Sequence, residues 1–165
     1  MKKRYWLGAV CLCAGLSVKA EPVALSDIPV EDSAGKKLNL MSEVRNMHWV
    51  LVIVDGPATD SSAVLDDLEK LPHNDNAYSR LKVVFPRSGF DAAGVAKRYP
   101  NLSNHGYYVI ADRTADLLFE FPAYPALAGF TPTGTIAWRH VGAVTPPQRF
   151  QSLLRDWTSR KSGGQ

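Results

Sequence analysis

Residues 49–71 read WVLVIVDGPATDSSAVLDDLEKL and decide the fold. Residues 49–54 form a continuous apolar run rich in β-branched side chains, which is typical of a central strand covered on both faces. Gly56 and Pro57 end that strand. The segment that follows has the spacing of an amphipathic helix, with the apolar side chains on one face and the charged ones on the other. The apolar set is Val64, Leu65, Leu68 and Leu71.

The start of this predicted helix carries the sequence Thr59-Asp60-Ser61-Ser62. The side chain of Thr59 or Asp60 can accept a hydrogen bond from a free N–H of the first turn, so either residue is a candidate cap. The helix is expected to extend to Leu71, because Pro72 cannot continue it.

Strand and helix patterns alternate along the rest of the chain. Residues 30–40 predict two short strands around an Asp-Ser-Ala-Gly turn, and residues 81–85 predict a further strand. Residues 90–99 predict a helix, which Gly94 weakens and Pro100 ends. A short helix is expected to begin at Asp112 or Thr114.

The C-terminal part predicts a β-hairpin and a last helix. Residues 126–130 and 135–141 read as two strands joined by a Pro- and Gly-containing turn. In the last helix, Thr145 is the predicted cap and Pro146 the predicted first residue. Strands that alternate with helices indicate parallel central strands, and the hairpins add antiparallel ones. The sequence therefore predicts an α/β fold, a mixed central sheet with helices on both faces and an N-terminal β-hairpin extension.

The first 20 residues have the pattern of an export signal. A positive start precedes a mostly apolar stretch, and Val18 and Ala20 supply the small residues that a signal peptidase recognises before the predicted cleavage position. We predict a signal peptide over residues 1–20, one domain over residues 21–158 and a disordered tail over residues 159–165. The mature protein is then periplasmic with no stable membrane span, and retention of the signal as an anchor is the alternative.

Cleavage would change the charge and the cysteine content. The chain has 19 Lys and Arg and 16 Asp and Glu, and four of the basic residues lie within residues 1–20, which leaves a formal net charge of −1. That balance gives no support to nucleic-acid binding. Both cysteines, Cys11 and Cys13, lie in the predicted signal peptide, so the mature fold depends on packing alone.

Three segments resemble the thioredoxin-like redoxins of the bacterial cell envelope. They are the Asp-x-x-Gly-Lys turn leading into a Leu at residues 32–40, the strand and helix of residues 49–71, and residues 124–136. In the third, Tyr124-Pro125 resembles the cis-proline segment of that family. The resemblance covers roughly residues 30–157 and implies the thioredoxin-like fold.

The chain departs from this family at the positions of its redox chemistry. Thr59 and Ser62 stand at the two positions of the Cys-x-x-Cys motif. Ile53 stands where thioredoxin has a buried Asp, and Ala58 stands where an aromatic residue is common. A hydroxyl cannot cycle through a disulfide. The resemblance therefore implies a redox-inactive member of the family rather than a thiol–disulfide oxidoreductase.

Two candidate binding features are compatible with a redox-inactive protein. The helix start at residues 59–62 can bind an anion or a carboxylate, but Asp60 places negative charge there and simple capping is the favoured alternative. Tyr124-Pro125, with Ala58 beside it, is the candidate groove for an extended peptide that pairs with the backbone. The alternative is that Pro125 only sets the direction of the following strand.

Other chemistries have no supporting pattern. Ser61 and Ser62 lack a Gly-x-Ser-x-Gly context, and the histidines show no close pairing. They are His48, His73, His105 and His140. No metal site and no cofactor are predicted.

These observations predict a redox-inactive periplasmic protein that binds a peptide or protein, or assists assembly, in an envelope system. The expected partner is an unknown envelope protein or peptide. The alternatives are a metal chaperone or carrier that uses His and Met side chains, and a structural subunit of a secretion or conjugation complex.

Overall fold

A computed structural model describes residues 24–55, 59–72, 76–88 and 90–160, with the backbone alone described at residues 59, 60 and 76. The predicted signal peptide, Ala58 and residues 161–165 of the predicted tail lie outside the described residues. Within the described ranges, every helix is too short or too polar to cross a lipid bilayer.

Strands and helices alternate along the described chain. The strands are β1 (Pro29–Asp32), β2 (Lys37–Asn39), β3 (Trp49–Ile53), β4 (Leu81–Pro86), β5 (Tyr108–Ile110), β6 (Ala126–Phe130) and β7 (Ile136–Val141). The helices are α1 (Leu40–Glu43), α2 (Thr59–Glu69), α3 (Asn76–Ser79), α4 (Ala92–Arg98), α5 (Pro100–His105), α6 (Asp112–Phe119) and α7 (Pro147–Thr158).

All the strands belong to one mixed sheet in the order β2-β1-β5-β4-β3-β6-β7. Strands β3 and β4 are parallel, as are β4 and β5, and the remaining neighbours are antiparallel. The α/β class and the mixed sheet, with its N-terminal hairpin, are therefore confirmed.

Strand β3 separates two apolar cores. Each of its side chains is 0% exposed. Val50 and Val52 join the core beneath α2 and α7, whereas Trp49, Leu51 and Ile53 join the core beneath α1 and α6. Because burial of one Val, Leu or Ile side chain contributes about 1.5–3 kcal/mol, this strand is a major source of stability. Helices cover both faces, as the sequence predicts.

The ends of two helices differ from the sequence prediction. Helix α2 begins at Thr59, so Thr59 and Asp60 occupy its first two positions and neither is the residue before the helix. Helix α7 begins at Pro147, and its cap position is Pro146 rather than Thr145. In both cases several neighbouring residues suit a helix start, and sequence alone does not choose among them.

Strand β5 and helix α5 are absent from the sequence prediction. The side-chain carboxylate of Glu69 accepts hydrogen bonds from the backbone N–H groups of Asn101, at 2.9 Å, and Leu102, at 3.0 Å. Helix α5 is thus capped by a residue of α2, far away in sequence. Strand β5 pairs with β1 on one side and β4 on the other, so it attaches the N-terminal hairpin to the sheet.

Candidate functional site

The candidate site lies where β3 ends and β6 begins. Ile53 pairs with Ala126 across these antiparallel strands. The residues that follow Ile53 and those that precede Ala126 are therefore at the same end of the sheet. This pairing brings the start of α2 and the Tyr124-Pro125 segment to one region, as the sequence resemblance implies.

Asp55 and Ser61 form a reciprocal pair at this end of the sheet. The Ser61 hydroxyl donates a hydrogen bond to Asp55 Oδ1 at 2.6 Å, and the backbone N–H of Asp55 donates to Ser61 Oγ at 3.3 Å. Ser61 is 1% exposed, whereas Asp55 is exposed. The pair ties the end of β3 to the first turn of α2. Ser61 therefore has a structural role, and its hydroxyl is already used.

Asp55 is the site residue that sequence reasoning missed. It follows Val54 directly, in a segment that the sequence indicates only as a turn. The sequence signal that could have identified Asp55 is an acidic side chain between a buried strand and the start of a helix. A carboxylate at that position can accept a hydrogen bond from the first turn of the helix.

Tyr124 is half-buried and packs against the core beneath α6. Burial raises the pKa of its phenol, and the nearby carboxylates of Asp116, Asp112 and Asp55 raise that pKa further. The phenol therefore stays neutral and can donate a hydrogen bond. Asp55 is thus linked to both halves of the site, by hydrogen bonds to Ser61 and by charge to Tyr124.

The backbone around Pro125 is bonded to the segment that follows β7. Pro125 is buried, its carbonyl accepts a hydrogen bond from the Gly142 N–H at 2.7 Å, and the Tyr124-Pro125 peptide bond is cis. Among the described residues, no backbone hydrogen bond uses the N–H or C=O of Tyr124. These two groups are suited to pairing with an extended chain.

The remaining predicted site residues are placed only in part. Ser62 is half-buried on α2. The side chains of Thr59 and Asp60 are not described, and Ala58 lies outside the described residues, so anion binding at this helix start stays a prediction.

The described histidines lie in separate places. His48 packs edge-on against Trp157 with ring centroids 5.1 Å apart, and His105 lies 4.1 Å from the ring of Tyr78. His140 is exposed on β7. In the part of the chain that the structure describes, no group of three or more His, Cys, Asp or Glu side chains is arranged to hold a metal ion.

Solved structures share this arrangement of strands and helices. The exposed lipoprotein thioredoxin Etrx1 of Streptococcus pneumoniae is 16% identical with a TM-score of 0.58, over 79% of this chain and 99% of that one. The fold is thioredoxin-like. The thiol:disulfide interchange protein of Chlorobium tepidum, of the thioredoxin family, is 11% identical with a TM-score of 0.61, over 84% and 98% of the two chains.

A third similar structure is BsSco, a member of the Sco family of cytochrome c oxidase assembly proteins. It is 12% identical with a TM-score of 0.56, over 86% of this chain and 98% of that one. No protein-family model and no curated protein matches the sequence. At these identities the similarity establishes the thioredoxin-like fold, whereas function has to be argued from the site.

Proposed function

We propose that this chain is a redox-inactive, thioredoxin-like protein of the cell envelope that binds an extended segment of a partner protein at the Tyr124-Pro125 end of the sheet. The observation that carries the proposal is the backbone of Tyr124, whose N–H and C=O have no backbone partner among the described residues. An extended peptide can satisfy both groups by pairing there as an added strand.

The composition of the site supports binding without thiol chemistry. Residues 21–165 contain no cysteine, so the exported domain cannot form a disulfide of its own. Ser61, which lies between the two positions that the resemblance aligns with cysteines, is buried and bonded to Asp55. A serine held in this way contributes to the shape of the site and is not an exposed nucleophile.

The charge of the site favours a basic partner segment. Asp55, Asp112 and Asp116 all act on the phenol of Tyr124, and the neutral phenol adds a hydrogen-bond donor. A peptide that carries Lys or Arg beside its paired residue would complement these carboxylates. We therefore propose an extended, basic segment as the ligand.

The proposed location in the envelope depends on the predicted export signal of residues 1–20 and on the descriptions of two proteins of similar fold. Etrx1 is described as an exposed lipoprotein and BsSco as a member of a family of assembly proteins. An assembly role of this kind requires binding but no catalysis by this chain. Two alternatives stay open. One is a metal carrier, for which the described residues offer no ligand set, and the other is a structural subunit of a secretion or conjugation complex.

Site-specific photo-crosslinking in cells tests the proposal. A photoreactive phenylalanine analogue placed at Tyr124 or Ser62 should crosslink a partner, whereas the same analogue at Lys97, exposed on α4, should not. The purified protein should also fail to reduce insulin. Crosslinks that form only from Lys97, or catalytic insulin reduction, would show that the proposal is wrong.

A further inference from the structure

Within the described residues, the outer edge of β7 from Ile136 to Val141 has no neighbouring strand. β7 is the last strand of the sheet, and among the described residues the only chain that runs along its outer side is at its start, where Ala24 pairs with Thr135. The N–H of Leu25 donates to the carbonyl of Gly134 there, at 2.9 Å. The described chain therefore pairs with this edge in the antiparallel direction at Thr135, next to the start of β7.

The backbone alternation of β7 determines which groups point to the open edge. The Gly142 N–H donates to Pro125, so the alternate residues His140 and Trp138 bond inward to β6. The N–H and C=O groups of Arg139 and Val141 then point outward. An open edge of this kind is a template for another strand.

A groove of about 350 Å3 lies beside this edge, between β7 and α7. Its floor is apolar and its rim is charged: Trp138, Leu153 and Trp157 form the floor, and Arg149, Asp156 and Arg160 form the rim. A side chain on the inner face of an added strand would lie next to Trp138, because cross-strand neighbours are about 5 Å apart.

The position of Trp138 in this floor depends on Gly129. The two residues are paired across β6 and β7, and a Cβ at Gly129 would lie 2.1 Å from the indole of Trp138. The ring also makes an edge contact with Trp157, with centroids 5.8 Å apart. The glycine thus lets the indole lie flat over the sheet, where it forms a fixed aromatic surface.

The charges around the groove favour an acidic ligand. Arg149 and Arg160 are eleven positions apart along α7 and its end, which corresponds to about 16 Å and matches about five residues of extended chain. The Arg160 guanidinium lies 4.5 Å from the centre of the Trp157 ring. Of the residues of β7, His140 lies on the same face as Trp138, whereas the guanidinium of Arg139 lies 5.9 Å from the centre of the Phe121 ring on the other face. Asp156 is the one carboxylate in the lining of the groove, and the two arginines outnumber it.

We propose that the β7 edge and this groove, together the β7–α7 surface, bind an extended acidic segment of a partner protein. The segment pairs with Arg139 and Val141 through its backbone. It places a large apolar side chain on Trp138 and carboxylates near Arg149 and Arg160. This surface shares no side chain with the Tyr124-Pro125 site, and the charge of its ligand is the opposite.

A direct binding measurement tests the proposal with the protein expressed from its full coding sequence. The probe is the fluorescein-labelled, blocked peptide Glu-Val-Phe-Val-Glu, in which alternate residues place Phe and both Glu on one face. Fluorescence anisotropy should show saturable binding that weakens with added salt. The peptide Lys-Val-Phe-Val-Lys should bind at least about tenfold more weakly, since each lost charged contact is worth about that factor.

Two sets of variants locate the binding. Arg139→Pro removes the outward N–H at an edge position where proline is tolerated, and it should abolish binding, whereas Arg139→Ala keeps the N–H and should bind within about twofold. The double variant Arg149→Glu/Arg160→Glu should weaken binding at least about tenfold. Its matched control, Arg45→Glu/Arg113→Glu, makes the same charge change at exposed positions away from the groove.

Several outcomes would overturn the proposal. Two of them are the absence of saturable binding at millimolar protein and equal binding of the Lys peptide. The third is a gain in probe affinity of about tenfold when residues 21–23 are deleted, because that gain would assign the β7 edge to this chain's own N-terminal segment. If Arg139→Pro does not fold, the same test is made on the unmodified protein with a peptide whose Val amides are N-methylated. This peptide cannot donate backbone hydrogen bonds from its Val residues and should not bind. Tyr124→Ala should leave probe affinity unchanged, which separates this surface from the proposed peptide site.

Discussion

The two ends of β3 differ in how their polar groups are satisfied. At the Trp49 end, the ring of Trp49 stacks on Phe130 with centroids 4.1 Å apart. The indole N–H of Trp157 donates to the carbonyls of Trp49 and Phe130, at 3.1 and 3.2 Å. At the Asp55 end, an exposed carboxylate bonds Ser61, and the backbone of Tyr124 has no partner among the described residues.

The two ends of β3 therefore have different roles, because one mainly stabilises the fold and the other is accessible to a ligand. The aromatic end uses buried rings and one bifurcated hydrogen bond, which stabilise the fold. Its other buried polar atoms, His48 Nδ1 and Trp49 Nε1, have no hydrogen-bond partner among the described residues and are not accessible to a ligand. The Asp55 end has polar groups arranged at the surface, where a ligand can reach them. Substitutions at the aromatic end should therefore change the free energy of unfolding most, and those at the other end should change binding and titration.

The largest expected effect follows from Trp157→Ala. The side chain is 6% exposed and joins α7 to both β3 and β6. Its removal leaves a cavity and takes one hydrogen bond from each of two carbonyls whose residues also pair within the sheet, so the free energy of unfolding should fall by about 3–5 kcal/mol in urea titrations. Trp157→Phe keeps a ring but loses the donor and should cost about 1–3 kcal/mol. If Trp157→Ala and Trp157→Phe lowered the free energy of unfolding equally, packing of the aromatic ring would not be the main contribution of Trp157.

Gly129→Ala should have the second-largest effect. The new methyl group would overlap the indole of Trp138, and overpacking of this kind costs about 1–3 kcal/mol of unfolding free energy. In the Trp138→Ala background the same substitution should cost much less. Additive costs in this double-mutant cycle would show that the two side chains do not interact.

Ser61→Ala should have a smaller effect, at the other end of β3. The variant loses the hydrogen bond to Asp55, which corresponds to about 1 kcal/mol. In an Asp55→Ala background the cost should be smaller, because the partner is already absent. A loss as large as that of Trp157→Ala would contradict the proposed difference between the two ends.

The smallest expected effect is on the titration of Tyr124. The pKa of its phenol is raised above 10.0, so the unfolded chain ionises first as the pH rises through 10. The stability linked to this proton is complete below pH 10 and is lost as the pH passes the folded pKa. Absorbance of the phenolate at 295 nm, taken as the difference from Tyr124→Phe, measures this pKa. Asp116→Asn should lower the pKa, and no change on substitution would exclude that carboxylate as a cause.

Sequence patterns were sufficient wherever an element is specified by its own residues. The apolar run of β3 and the spacing of Val64, Leu65 and Leu68 on α2 predict a strand and a helix without reference to the rest of the chain. Helix α5 and strand β5 could not be predicted in this way. The cap of α5 is Glu69 of another helix, and β5 is three residues long and is held by strands on both sides.

The candidate site was predicted in outline only. Tyr124-Pro125 and the helix start were proposed from family resemblance, and the pairing of Ile53 with Ala126 explains why they lie at the same end of the sheet. Asp55 was missed because a turn residue has no periodic signal, and its role depends on the position of Ser61 in the fold. Trp138 has no sequence signal that separates it from an ordinary packing residue, and only the contact with Gly129 reveals its fixed position.

The backbone pairing of Ala24 with Thr135 determines how the protein can be attached to a solid support. Ala24 lies opposite Thr135, at the end of β7 away from Val141, and Trp157 places the end of α7 beside Phe130. Both ends of the described chain are therefore at the aromatic end of the sheet. A sensor chip or optical tether joined through either end would hold the protein with Asp55 and Tyr124 facing the solution, so partner capture can be measured with the proposed peptide site unobstructed.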